Sequence, residues 1–164
     1  MEKKNNPAAY LAKTALIAAL YCAVSFISQP IAFGVLQLRI AEGLCLLTLY
    51  TPCAVPGLTV GCFITNIFSP YGLADMIAGT LATLLAALTS RRIKNKFLSG
   101  VPYVLFNAFI ISGVIAYQAG SKELFFVQAL IIGLEEALSV YGIGMPMIFA
   151  IEKNEGLKSI VSDD

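Results

Sequence analysis

The chain is 164 residues long, 58% hydrophobic and only 13% charged, with a net charge of +1 and a mean hydropathy of +0.80. A soluble domain carries about 25% charged residues, so one compact unit solvated mostly by lipid is expected, and the near-neutral balance excludes a broad basic field for nucleic acid. With no histidine, a histidine-based hydrolase, a His-ligated zinc enzyme and a His-ligated haem are excluded, and no metal or other cofactor is expected.

Six apolar segments can be drawn in chain order. Each reads as a membrane helix, because backbone groups in lipid must be satisfied within their own segment. Strict apolar/polar alternation is absent, which argues against a β-barrel. The first segment, 10–28, stops at Gln29-Pro30. The polar stretch ahead of it is not read as a cleaved leader, since the apolar run outlasts such a segment and further spans follow. Ala15, Ala19 and Ala23 recur every fourth residue and line one face with small side chains. Such a face suits docking of a partner subunit or close packing inside the bundle.

The second segment, 36–50, opens on Gln37-Leu38-Arg39-Ile40-Ala41-Glu42. On a helix Arg39 and Glu42 are neighbours and can pair, as a salt bridge at the membrane edge or as a clamp at a pocket mouth. The third, 55–68, carries Gly57, Gly61 and Asn66 and ends before Pro70 and Tyr71. The fourth, 73–89, begins with Asp75, which brackets an outer turn together with Asn66. Both can face an outward cavity, or Asp75 can cap its helix. The fifth, 101–119, contains Asn107, polar glue between helices or a ligand contact. The last, 124–151, holds Glu135 and Glu136, with Tyr141 beyond them and Gly142, Gly144 and Pro146 bending or breaking it. Adjacent helix residues point about 100° apart, so one carboxylate faces a small pocket more easily than two. Carboxylates this deep need protons, an arginine or a cationic ligand.

With six spans, nine basic residues (Lys3, Lys4, Lys13, Arg91, Arg92, Lys94, Lys96, Lys153, Lys158) share the side of both termini, against Arg39 and Lys122 opposite. Both termini are therefore expected in the cytoplasm. The outer loops are then 29–38, 69–74 and 120–123. Residues 156–164 read as a short, loose polar tail. Cys22, Cys45, Cys53 and Cys62 lack C-x-x-C spacing and read as small buried hydrophobes. There is no phosphate-binding G-x-x-x-x-G-K-[ST] loop, no G-x-S-x-G and no H-E-x-x-H. The chain is not expected to be an enzyme, and any energy must come from a partner or an ion gradient.

Taken together, several of these stretches resemble the QueT family. They are Gln37-x-Arg39-x-Ala41-Glu42, Pro56-Gly57-Leu58-Thr59-Val60-Gly61-Cys62 leading to Asn66, Asp75-x3-Gly79-x-Leu81-Ala82-Thr83-Leu84, Phe106-Asn107, and Glu136 with Gly144-x-Pro146. The resemblance runs from about Ala15 to Pro146. It departs at Glu135, where the family pattern has glycine. Members are substrate-binding S components of energy-coupling factor (ECF) transporters, a class of ABC transporter, linked to queuosine precursors. The resemblance implies an all-α six-transmembrane-helix bundle in a prokaryotic plasma membrane that binds one small molecule near its outer side. It also implies partners: a transmembrane coupling protein docking on the Ala15/Ala19/Ala23 face, and two ATPase subunits. A 7-deazaguanine-type base presents N–H groups that a carboxylate accepts, and a carbonyl that needs a donor. The candidate binding residues are Gln37, Arg39, Glu42, Asn66, Tyr71, Asp75, Asn107, Glu135, Glu136 and Tyr141. Two other readings stay open: a self-sufficient proton-coupled carrier using Glu135 and Glu136 as relay sites, and an S component for a different vitamin.

Overall fold

The computed structural model describes residues 7–28, 39–69 and 72–162. Among them there is helix and no strand. In order they form α1 (Pro7–Ile27), a 3₁₀ helix (Ile40–Leu49), α2 (Ala54–Asn66), α3 (Gly72–Ser90), a short 3₁₀ turn (Leu98–Gly100) and α4 (Val101–Ala119). There follow α5 (Lys122–Ala137), a π-helix (Leu138–Gly144), α6 (Met145–Lys153) and α7 (Glu155–Val161).

Four continuous helical stretches among the described residues are long and apolar enough to cross a membrane: Pro7–Ile27, Gly72–Ser90, Leu98–Ala119 and Lys122–Lys153. The other two expected segments are shorter apolar helices, Ile40–Leu49 and Ala54–Asn66. At about 2.0 Å per 3₁₀ residue and 1.5 Å per α residue, each is roughly 20 Å long. Large apolar side chains point outward, with Leu11, Ile27, Leu73 and Phe126 all more than two-thirds exposed. The interior is instead rich in small and polar side chains, among them Ala54, Ala82, Ala86, Ser90, Ser112 and Thr83. That is an inside-out distribution for water and the right one for hydrocarbon.

The tightest approach joins α1 to α2. A Cβ at Gly57 would lie 2.8 Å from Ile17 Cβ, and one at Gly61 would lie 2.7 Å from Tyr21 Cβ. Glycine on α2 is what lets the two backbones close. Three small residues of α1 do not serve this contact: Ala15, Ala19 and Ala23 are all exposed. The 3₁₀ helix occupies the middle of the bundle, with seven of its ten residues buried. It lies against α1, α2, α3, α6 and the π-helix. Its crossing with the π-helix is backbone on backbone, since a Cβ at Gly144 would sit 2.7 Å from the Gly43 carbonyl oxygen.

One end of the bundle collects the basic residues. Lys13 Nζ donates to the Ser162 carbonyl at 3.2 Å, and Arg91 Nη1 reaches the Thr48 carbonyl at 3.4 Å. Lys96 pairs with Glu152 at 2.9 Å and lies 4.6 Å over the Phe149 ring. The Tyr50 hydroxyl donates to Glu152 at 3.0 Å. Burial, and then that carboxylate, push the Tyr50 phenol up to about 12, so it remains a donor at neutral pH. The C-terminal tail is not loose as expected. Asn154 Oδ1 accepts from the backbone N–H groups of Gly156 and Leu157, and this cap starts α7.

Candidate functional site

The site grows from the central 3₁₀ helix. In that winding residues i and i+3 eclipse. Glu42, Cys45 and Thr48 therefore stand in one column with Arg39 at its head, and the first three are at most 1% exposed. Each polar side chain meets a partner from a different helix. The Tyr21 hydroxyl, on α1, donates to Glu42 Oε1 at 2.5 Å. Arg39 Nη2 donates to Asn66 Oδ1, on α2, at 2.8 Å. The Thr48 and Ser90 hydroxyls share a hydrogen bond of 3.1 Å. Arg39 and Glu42 thus turn to Asn66 and Tyr21, and the direct pair that their spacing allowed is not made.

Cys62 sits one turn before Asn66 and is fully buried. Its sulfur takes Arg39 Nη2 at 3.6 Å, Asn66 Nδ2 at 3.4 Å and Thr83 Oγ1 at 3.3 Å. Glycine at position 79 makes this possible, because a Cβ there would lie 2.6 Å from Asn66 Nδ2. Asp75, Gly79 and Thr83 share one face of α3 at a spacing of four. At the head of that face Asp75 Oδ2 accepts from the Ser69 hydroxyl at 2.6 Å, tying the α2–α3 turn together.

The second half comes from α4 and α5. Asn107 Nδ2 donates to Glu136 Oε1 at 2.9 Å and to the Tyr103 carbonyl at 3.1 Å. Glu136 and Asn107 are 3% and 1% exposed, and Glu135 is buried beside them. Glu136 lies in the electrostatic field of Glu42, Arg39 and Glu135, and Tyr103 in that of both Glu42 and Glu136. The two halves therefore face one interior. The π-helix starts two residues after Glu136. Such windings are rare and concentrate at functional sites.

This interior is under-satisfied. Among the described residues, Glu42 Oε2, Asn107 Oδ1 and the hydroxyls of Thr14, Tyr103, Ser112 and Ser139 are buried without a hydrogen-bond partner. Each such group costs about 1–3 kcal/mol while it stays unpartnered, and the carboxylate and amide oxygens among them can only accept.

The structure brings together Arg39, Glu42, Asn66, Asn107, Glu135 and Glu136, and sets Asp75 at their outer rim. Gln37 and Tyr71 lie outside the described residues. Tyr141 sits elsewhere: its hydroxyl donates to the Phe97 carbonyl at 2.8 Å, towards the basic end. Sequence reasoning missed Tyr21, one of two tyrosines in an alanine-rich helix that gave no periodic signal. It also took Cys62 for inert filling. A cleft of about 620 Å³ opens at the basic end, bounded by Tyr50, Arg91, Lys94, Lys96 and Glu152. Its Lys96 and Glu152 already neutralise each other, so it competes poorly with the buried cluster as a site.

No curated protein and no solved structure matches the chain. The family model of the QueT transporter matches residues 11–153, a stretch that includes Arg39, Glu42, Asn66, Asn107, Glu135 and Glu136. A lipid-facing helical bundle closed around unsatisfied polar groups is what a carrier of polar solutes requires, and this chain belongs to the QueT transporter family.

Proposed function

We propose that the chain is the membrane-embedded substrate-binding S component of an ECF-type ABC transporter. It imports a queuosine precursor of the 7-deazaguanine type across a prokaryotic plasma membrane. It hydrolyses no ATP itself; a coupling protein and two ATPase subunits supply that step. The two shorter helices complete six spans, with both termini and the basic end in the cytoplasm. The observation that carries the reading is the pair of unpartnered buried acceptors, Glu42 Oε2 and Asn107 Oδ1, in a bundle that also holds the Arg39–Asn66 hydrogen bond. A deazaguanine base brings N–H donors to the acceptors and a carbonyl to the arginine or an amide.

Titration calorimetry on the detergent-purified protein is expected to show one-to-one binding of the aminomethyl-deazaguanine base and none of guanine or riboflavin. Absence of binding by that base, its nitrile analogue and queuine would remove the substrate class. The exposed Ala15/Ala19/Ala23 face is proposed as the surface that meets the coupling protein, since small side chains let a second helix approach. Ala19→Leu is then expected to abolish co-purification with the coupling protein and ATPases, with base affinity unchanged. Undiminished co-purification would remove that face from the interface.

The buried neighbours Glu135 and Glu136 favour one rival, a self-sufficient proton-coupled carrier. It predicts uptake by the lone protein in liposomes, driven by a pH gradient and without ATP.

A further inference from the structure

The basic end of the bundle offers donors and positive charge. Its cleft of about 620 Å³ opens between the end of the 3₁₀ helix, the 91–97 connection and α6, and that volume falls within the span of small-molecule sites. Three cations, Arg91, Lys94 and Lys96, meet one carboxylate there, Glu152. Glu152 is already committed to Lys96 at 2.9 Å and to the Tyr50 hydroxyl at 3.0 Å. Arg91 gives a hydrogen to the Thr48 carbonyl, which carries no net charge. Lys94 is exposed and has no partner among the described residues. Two positive charges are thus left without a counter-charge. Asn95 adds neutral donors to the same cleft. Its Oδ1 accepts from the backbone N–H groups of Phe97 and Leu98 at 2.9 and 3.3 Å. That fixes the amide and leaves its Nδ2 hydrogens uncommitted among the described residues. Beside these polar groups lie apolar ones. Phe97, in the cleft wall, and its neighbour Leu98 are each 55% exposed. Phe149 on α6 is also exposed, with Lys96 Nζ 4.6 Å over its ring. Charged heads set on apolar stems and rings mark the boundary between hydrocarbon and water.

We propose that this cleft binds the headgroup phosphate of an anionic phospholipid, held by Arg91, Lys94 and the Asn95 amide, with the acyl chains against Phe97, Leu98 and Phe149. A phosphodiester brings one negative charge and acceptor oxygens, which complements a cleft with spare cations and N–H donors. Basic pockets between membrane helices are where such headgroups collect, and lysines and arginines at the membrane surface attract them. A soluble phosphate ester would meet the same cations and none of the exposed rings, whereas a lipid uses both. Under the orientation proposed above, the leaflet concerned is the cytoplasmic one. The site does not depend on which solute the bundle carries.

The test is native mass spectrometry of the full-length protein released from detergent. Phosphatidylglycerol and phosphatidylcholine with the same acyl chains are titrated, with soluble glycerophosphoglycerol as the headgroup alone. Phosphatidylglycerol is expected to bind at least roughly tenfold tighter than phosphatidylcholine, since each of two cations beside an anionic headgroup contributes about fivefold. Lys94→Gln is expected to remove about fivefold of that preference. Arg92→Gln removes the same charge from an exposed residue outside the cleft, and is expected to cost less than about twofold because salt screens it. The wild-type ratio decides the matter even if a variant does not fold. Equal binding of the two lipids overturns the site. Equal losses in the two variants also overturn it, because the attraction would then belong to a diffuse basic surface. Glycerophosphoglycerol bound as tightly as the whole lipid overturns the lipid as occupant and makes it a soluble phosphate ester.

Discussion

Replacing Arg39 with leucine is expected to lower the unfolding free energy by about 2–4 kcal/mol, slightly below the range for breaking a fully buried pair because Arg39 is only half-buried. The guanidinium lies in the field of Glu42 and Asp75, and it reaches Glu136 as well. Its loss strands those carboxylates and also removes the donor to Asn66 Oδ1. Arg39→Lys should recover only part of the loss, because a point ammonium cannot hold Asn66 and Cys62 together as a planar fork does. Thermal unfolding in detergent measures both. A leucine variant within half a kcal/mol of the parent would mean that the carboxylates are neutralised by protons and that Arg39 is not their counter-charge.

Gly144→Ala is the second. Its methyl would stand 2.7 Å from the Gly43 carbonyl oxygen and 3.2 Å from Leu46 Cδ1. The nearer atom is backbone and cannot swing aside. Overpacking of this kind costs about 1–3 kcal/mol, more than the roughly 1 kcal/mol that alanine gains over glycine in a helix. Gly142 lies in the same π-helix with no atom within 4 Å of its would-be Cβ. Gly142→Ala should therefore be neutral or slightly stabilising. Equal behaviour of the two variants in the same unfolding assay would show that the crossing is looser than described.

The helical segments were legible because a lipid solvent leaves one reading for long apolar runs, and the observed ends of α1, α3 and α4 fall within three residues of those read from sequence. Winding was not legible. Nothing in Ile40–Leu49 distinguishes a 3₁₀ helix from an α-helix, since the choice is made by the glycine contact at Gly43 and the partners of Glu42, which are tertiary. The same holds for Leu138–Gly144, where the sequence showed only glycine and proline and suggested a bend. Among the site residues, charged and amide groups in apolar runs stood out because their burial is costly. Tyr21 did not, because a tyrosine in a membrane helix is cheap to place. Its role appears only when Gly61 brings α2 close enough to align it with Glu42. The helix in the tail was not read because its cap, Asn154, lies just ahead of the stretch taken as tail.

A segment with three residues per turn is a prism, not a cylinder. One edge of Ile40–Leu49 carries Glu42, Cys45 and Thr48; the next carries Gly43 and Leu46, which meet Gly144; the third carries Ala41, Leu44 and Leu47. Turning such a prism by one residue, about 120°, exchanges whole edges at once. Glu42 and Thr48 would lose their partners together, and an edge with leucines would replace theirs. An α-helix, at about 100° per residue, would fan the same side chains out by about 60° per step and fail piecemeal. The central helix is therefore keyed like a three-sided peg: it seats in one rotation, and any displacement of one polar contact by rotation is a displacement of all of them.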